Sequence, residues 1–266
     1  MKGVGKRLFK DWIFKNPLGR RPSSHTTDEW KRIVEAVESA VPLYESISEA
    51  ISFGLAGPLR RRAIGWLTIF KEGWTLDLGS GPGVSTRFLV SQGFQKVVGL
   101  DPSQRLLKFA KSSADSGFHP VVGVAESLPF RAEAFTSILT CFALRDVMDL
   151  SQSLLEISRV SRQDGRFAIV DIGKPDGRFR SRLVSLYIRF GMPLLARLLI
   201  RGRIPGNPFR MIIPTFERLV TNESLNVLVQ REFGPSRLRE HLLGGLVVLE
   251  ARKGGALGSA EPAKSF

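Results

Sequence analysis

The run Leu76-Asp77-Leu78-Gly79-Ser80-Gly81-Pro82-Gly83 constrains this chain more than any other stretch. It follows Trp74-Thr75-Leu76, which reads as the end of a buried strand, and its three alternate glycines permit positive φ and close backbone approach to a bound group. A helix opening near Val84-Ser85-Thr86 would aim its first N–H groups at that group. A dinucleotide loop needs G-x-G-x-x-G, and the place of its last glycine is taken by Val84. A second acidic residue closes the next apolar run, Lys96-Val97-Val98-Gly99-Leu100-Asp101, eighteen residues beyond Gly83. That is close to the roughly 20-residue offset at which a carboxylate reaches ribose hydroxyls across a βαβ unit. The pair predicts a site for a nucleoside-bearing ligand.

The charge of that site narrows the ligand. Asp77, directly before the loop, would repel a pyrophosphate, yet it suits the amino group and sulfonium of S-adenosyl-L-methionine. At this point the chain resembles the class I S-adenosylmethionine-dependent methyltransferases, and most of all the ubiquinone/menaquinone biosynthesis C-methyltransferases. Gly123-Val124-Ala125-Glu126-Ser127-Leu128-Pro129-Phe130 is similar to that family's adenine-lining segment. Ala134 to Ile138 and then Phe142-Ala143-Leu144-Arg145-Asp146-Val147 resemble its fourth strand and Leu-Arg-Asn signature, and Tyr44 to Gly54 resembles its Tyr-Asp segment ending in Ser-Phe-Gly. The likeness runs from about Tyr44 to Lys253. It implies cofactor contacts from Asp77, Gly79, Ser80, Gly81, Gly83, Asp101, Pro102, Ala125, Glu126 and Cys141.

This chain departs from the family's pattern at several polar positions. Val124 stands where the family places an Asp for the adenine amino group, so that bond comes from backbone, from Glu126, or not at all. Asp146 replaces an Asn, Glu45 an Asp and Ser48 an Asn. The substrate-side polar set is therefore altered while its positions persist.

Apolar runs alternate with helical patterns over 74–79, 84–92, 96–100, 103–115, 120–124, 137–143, 148–162 and 166–172, preceded by helices near 28–54 and 57–70. That alternation predicts an α/β fold, a doubly wound, Rossmann-like, mostly parallel sheet, and the resemblance implies seven strands. Two further apolar runs, 226–233 and 244–251, are expected as an antiparallel pair completing it. Between them and the parallel part, 178–222 reads as a helical lid over the cofactor cleft. The methyltransferase domain is expected over 28–253, and the Gly/Ala-rich end, 254–266, as disordered.

The net charge of +14 is concentrated in two places. Residues 1–27 form a basic arm and linker, in which Leu8, Phe9, Trp12 and Ile13 share one helical face. The second place is the insertion, whose arginines at 178, 180, 182, 189, 197, 201, 203 and 210 meet no carboxylate from Gly177 until Glu217. Arg178, Arg182 and Arg189 fall within about 40° of one another on a helix. Basic amphipathic helices lie on anionic membrane surfaces, so peripheral contact with such a membrane is expected. The single cysteine, Cys141, favours a reducing compartment. No signal peptide or roughly 18-residue apolar span is visible, which points to a cytoplasmic protein, peripheral on the inner membrane face.

Ligands of an open α/β sheet sit beyond the carboxyl ends of its strands. The resemblance implies a lipid-tailed or small aromatic acceptor, with Arg145 and Asp146 orienting a water or holding an oxyanion and Tyr44 and Glu45 closing the opposite side; a structural salt bridge between Arg145 and Asp146 is the alternative. His25 lies in the linker, His119 before its strand at the wrong end of the sheet and His241 before the final strand, and no metal is expected. The charge also suits an RNA or nucleic-acid methyltransferase, but Cys141-Phe142-Ala143-Leu144 lacks the Asn-Pro-Pro-aromatic pattern of amino-directed enzymes, and no Pro-Cys motif is present. Nucleic acid is therefore not the expected partner. A non-catalytic cofactor-binding protein that docks to a membrane is the third reading, and homodimerisation is left open.

Overall fold

Strands buried on both faces need almost wholly apolar sequences, and the centre of this sheet is built from such runs. In the computed structural model, which describes residues 27–113, 117–200 and 208–254, β1 (Thr75–Leu78) and β2 (Val97–Asp101) are buried throughout. β4 (Phe135–Cys141) is nearly so, and the inner half of β5 (Ser161–Ile172) is buried as well. β3 (Phe118–Val122) is the more exposed parallel edge. At the other edge β6 (Ser236–His241) and β7 (Leu246–Arg252) run antiparallel, giving the order β3-β2-β1-β4-β5-β7-β6. The fold is the predicted seven-stranded doubly wound sheet.

Helices cover both faces. α3 (Ala56–Leu67), α4 (Val84–Ser91) and α5 (Gln104–Ser112) join one core with Leu139, Val170 and Val248. α6 (Leu150–Val160) packs against the opposite core, with Leu76, Ile138, Phe167 and Leu249. Ser103 caps α5 by accepting from the Leu106 N–H, and Asp149 caps α6 by accepting from Gln152.

The expected helix 28–54 is two helices, α1 (Thr27–Ala40) and α2 (Tyr44–Ile51). A 3₁₀ turn, Val41–Leu43, separates them at Pro42, which cannot continue the backbone ladder. The insertion gives α7 (Arg178–Leu186), a π-turn at Tyr187–Gly191, α8 (Met192–Ile200) and α9 (Ile212–Arg218).

One expected strand is corrected. Residues 226–233 belong not to a strand but to α10 (Asn222–Glu232) and the residue after it. Leu225, Val229 and Phe233 recur every fourth residue and pack together into the core, and the Thr221 hydroxyl caps the helix at the Ser224 N–H. The strand partner of β7 is instead β6, whose charged sequence suits a sheet edge. The basic arm, Arg201, Arg203 and the tail from residue 255 lie outside the described residues.

Candidate active site

The glycine loop is fastened to β2. The N–H groups of Gly79 and Ser80 both donate to the Leu100 carbonyl, at 2.8 and 3.1 Å. Gly81 N–H donates to Asp101 Oδ2 at 2.9 Å, and Ser103 N–H donates to Asp101 Oδ1 at 2.8 Å. Burial nevertheless pushes the Asp101 carboxyl up to about 6, with Glu38 nearby adding to the shift. Asp77 is fully buried at the end of β1, its Oδ2 accepting from the Thr86 hydroxyl at 2.7 Å. Burial raises it too, to about 6, against that bond and the charge of Arg60.

Gly79, Ser80, Gly81, Asp101, Pro102, Ala125, Glu126 and Cys141 line one cavity at the carboxyl ends of the strands. Gly81 has φ +51°, and a Cβ there would meet no protein atom within 4 Å. α1 forms the roof through Ile33, Val34 and Val37. It is tied down where Glu38 accepts from the Ser103 hydroxyl and lies 3.9 Å from Arg105. Among the described residues, none of 178–200 or 208–222 lines this cavity.

Three sequence-predicted cofactor residues sit differently from expectation. Gly83, at φ +83°, faces α5, and a Cβ there would fall 2.8 Å from that of Ala110, so its need for glycine is packing. Asp77 is not in the cavity wall, although its Oδ1 has no hydrogen-bond partner among the described residues. Glu126 is in the wall, but its Oε1 accepts from the N–H groups of Met148 and Asp149 at 2.5 and 3.1 Å, which pins the turn before α6. Burial raises the Glu126 carboxyl. Cys141 is buried and its thiol is pushed up to about 12, also by burial, which makes it a poor nucleophile.

A second, apolar cavity of about 340 Å³ adjoins the first. Its walls come from α2, Phe53, Arg145, Asp146, α7, the π-turn, Phe209, Ile212 and the Leu242–Leu246 segment. Ile33, Val37, Tyr44, Phe142 and Asp146 line both cavities and mark where they meet. Arg145 is buried there, with Nη1 2.8 Å from Asp171 Oδ1 and Nη2 3.4 Å from Asp146 Oδ2. Burial opposes its charge, but Asp146 and Asp171 outweigh that and raise its pKa. Asp146 Oδ1 in turn accepts from the Thr215 hydroxyl at 3.3 Å. The salt bridge and the cavity-facing position therefore coexist.

Glu45 turns away from both cavities and pairs with Arg87 at 2.9 Å. His119 lies within β3 beside Trp74, and His241 ends β6; neither lines the two cavities, and His25 lies outside the described residues. Among the described residues no group of three or more His, Cys, Asp or Glu could hold a metal ion.

Phe142 stands in the predicted segment after the fourth strand, whereas Arg60 is not singled out by the sequence. Arg60, 2% exposed, lines the first cavity with its guanidinium carbon 4.8 Å from the Phe142 ring centroid, and its Nε and Nη1 have no hydrogen-bond partner among the described residues. Phe142 follows β4 with φ +58°, a strained conformation at the junction. Arg60 was signalled by its place in the apolar stripe Ala56, Ile64 and Leu67 of α3.

These features fit S-adenosyl-L-methionine. Ser80 Oγ, Thr140 Oγ1 and Arg60 Nε and Nη1 are buried in the cavity wall without hydrogen-bond partners among the described residues, and Asp101 stands at the end of β2 where a ribose would lie. Arg60 is placed to hold a carboxylate and the Gly81 side of the loop leaves room for the nucleoside.

Residues 76–169 match the methyltransferase domain family. The chain is 30% identical over 219 residues to a 2-phytyl-1,4-naphtoquinone methyltransferase of Thermosynechococcus vestitus, covering 80% of this chain and 94% of that one. It belongs to the ubiquinone/menaquinone biosynthesis C-methyltransferase family. A demethylmenaquinone methyltransferase of Thermotoga maritima is 27% identical, over 68% of this chain and 76% of its own length. A ubiquinone/menaquinone biosynthesis C-methyltransferase of Geobacter sulfurreducens is 28% identical, over 65% and 70%. A solved SAM-dependent methyltransferase of Thermotoga maritima shares the fold, with TM-score 0.55 and 18% identity over 83% of this chain and 99% of that one. The protein is an S-adenosylmethionine-dependent methyltransferase.

Proposed function

We propose that this methyltransferase C-methylates the aromatic ring of a lipid-tailed quinol. The observation that carries this is the apolar cavity of about 340 Å³, which meets the cofactor cavity at Tyr44, Phe142 and Asp146. Bound S-adenosylmethionine supplies an electrophilic methyl group on a good leaving group, so the protein chiefly aligns the acceptor and excludes water. The acceptor ring carbon becomes nucleophilic when a neighbouring phenolic proton is removed. Asp146 stands at the junction to take that proton, directly or through a water. Arg145 holds Asp146 in place and, as a fixed cation, favours the resulting phenolate. Tyr44 orients the ring from the opposite wall, and Phe209 stacks behind it at 6.4 Å.

The quinone specificity of the named relatives supports this reading. A cytoplasmic protein in peripheral contact with the inner face of an anionic membrane is part of it, as is the basic arm ahead of a single methyltransferase domain. Incubation with methyl-labelled cofactor and separate lipid and RNA extracts tests it. Label is expected in the lipid quinone fraction. Label confined to RNA, or in neither extract, overturns it.

A further inference from the structure

The segment from α7 to α8 is apolar on two opposite faces. Val184, Ile188, Met192 and Ala196 recur every fourth residue and are buried, the first three against Phe216. Two residues further round, about 200° away, Leu186, Phe190, Leu194 and Leu198 form a second stripe, 58–67% exposed. A stripe of four large side chains left in water has a use outside the fold. It runs into exposed Leu183 and, at the cavity mouth, exposed Phe53 and Leu243, all three of which line the apolar cavity.

Charge selects the occupant. Arg180 pairs with Glu240 at 2.8 Å and Arg189 with Glu217 at 2.6 Å, but Arg178, Arg182 and Arg197 are exposed and have no ion pair among the described residues. No carboxylate lies between Gly177 and Glu217 in the sequence. An apolar stripe flanked by uncompensated arginines matches acyl chains beneath anionic headgroups. A second copy of this chain would bring like charges together.

We propose that the outer face of α7–α8 docks on an anionic bilayer, so that the mouth of the apolar cavity opens toward the acyl-chain boundary and a lipid tail enters without crossing water. The entry role rests on the quinol reading; the docking itself does not. The site lies within the described helices, separate from the basic arm, and the two contributions are separable by experiment.

Phe190→Cys and, as a control on a different surface, Leu155→Cys are labelled in the full chain with an environment-sensitive fluorophore; buried Cys141 is unreactive with its thiol pushed up to about 12. Vesicles of phosphatidylglycerol and phosphatidylcholine carrying brominated acyl chains should quench the probe at 190 and not at 155, and quenching should weaken in pure phosphatidylcholine and in high salt. Leu194→Glu in the full chain should lower partitioning into the mixed vesicles about tenfold while leaving S-adenosylhomocysteine binding intact. Equal quenching at both positions, undiminished partitioning of Leu194→Glu, or concentration-dependent self-association that protects position 190 in solution overturns the docking assignment. If docking holds while lipid extracts remain unlabelled, the quinol reading alone fails.

Discussion

Arg60 lies with its guanidinium carbon 4.8 Å from the Phe142 ring centroid, inside the protein and beside the buried Asp77 that shares its field. A buried cation whose Nε and Nη1 donate to none of the described residues is costly unless an anion completes the site. The carboxylate of the cofactor's amino acid end is the anion at hand.

Replacing Arg60 with Met should therefore weaken binding of S-adenosylhomocysteine about 10- to 100-fold. Methylthioadenosine, which lacks the amino acid end, should bind the variant as it binds the parent. Calorimetry with both ligands checks this.

The two carboxylates at the strand ends make cofactor affinity acid-sensitive. Asp77 and Asp101 titrate near 6, above the ordinary carboxylate value, because burial disfavours their charged forms. Their contribution to the stability of the ligand-free fold therefore rises as pH falls from about 6 toward 4, since the folded state then binds more protons than the unfolded one. Affinity moves the opposite way, because ionised carboxylates suit the ribose hydroxyls and the cofactor's cations. S-adenosylhomocysteine binding should fall between pH 7 and pH 5, and Asp101→Asn should flatten that profile.

Neighbouring glycines of the loop should fail for different reasons. Gly83→Ala places a Cβ 2.8 Å from that of Ala110 at φ +83°, and should cost about 1–3 kcal/mol of stability. Gly81→Ala meets no protein atom within 4 Å, so at φ +51° it should cost about 1–2 kcal/mol from backbone strain alone in the ligand-free fold while weakening cofactor binding. Thermal melts with and without S-adenosylhomocysteine separate the two.

The acidic neighbours of Arg145 should also separate. Asp171 accepts from both the Arg145 backbone and its guanidinium, so Asp171→Ala leaves a buried cation undercompensated and should destabilise by about 3–5 kcal/mol. Asp146→Leu, which lacks both the carboxylate and the amide the family carries at this position, should lower turnover about 10²–10⁴-fold, and because Asp146 also offsets the charge of buried Arg145 it should lower the melting temperature as well.

Much of this was legible in the chain itself. The parallel strands announced themselves because strands covered on both faces must be apolar along their length, and the glycine loop with Asp101 fixed where a nucleoside could sit. The C-terminal part was less legible: Leu225, Val229 and Phe233 lie in a run apolar enough to read as a strand, although their four-residue spacing is helical, while β6 is polar because it is an edge. In the site, Tyr44, Arg145 and Asp146 stood out by their segment, whereas Gly83 and Glu126 turned out to serve packing and loop geometry. Arg60 was hidden in an Arg-Arg-Arg run that looks solvated, and only its register with Ala56 and Ile64 sets it apart from Arg61 and Arg62. Among the described residues the roof over the cofactor cavity comes from α1, a tertiary choice made by Glu38 and Ser103 across 65 residues.

The most direct test of the account supplies methyl-labelled S-adenosylmethionine and a reduced, lipid-tailed naphthoquinol unsubstituted at one ring carbon, followed by mass spectrometry and NMR of the extracted product. The account predicts the labelled methyl on that ring carbon, formed by the parent protein and strongly reduced with Asp146→Leu. A folded protein that binds S-adenosylhomocysteine yet leaves the quinol unmethylated, or places the label on oxygen, would contradict it.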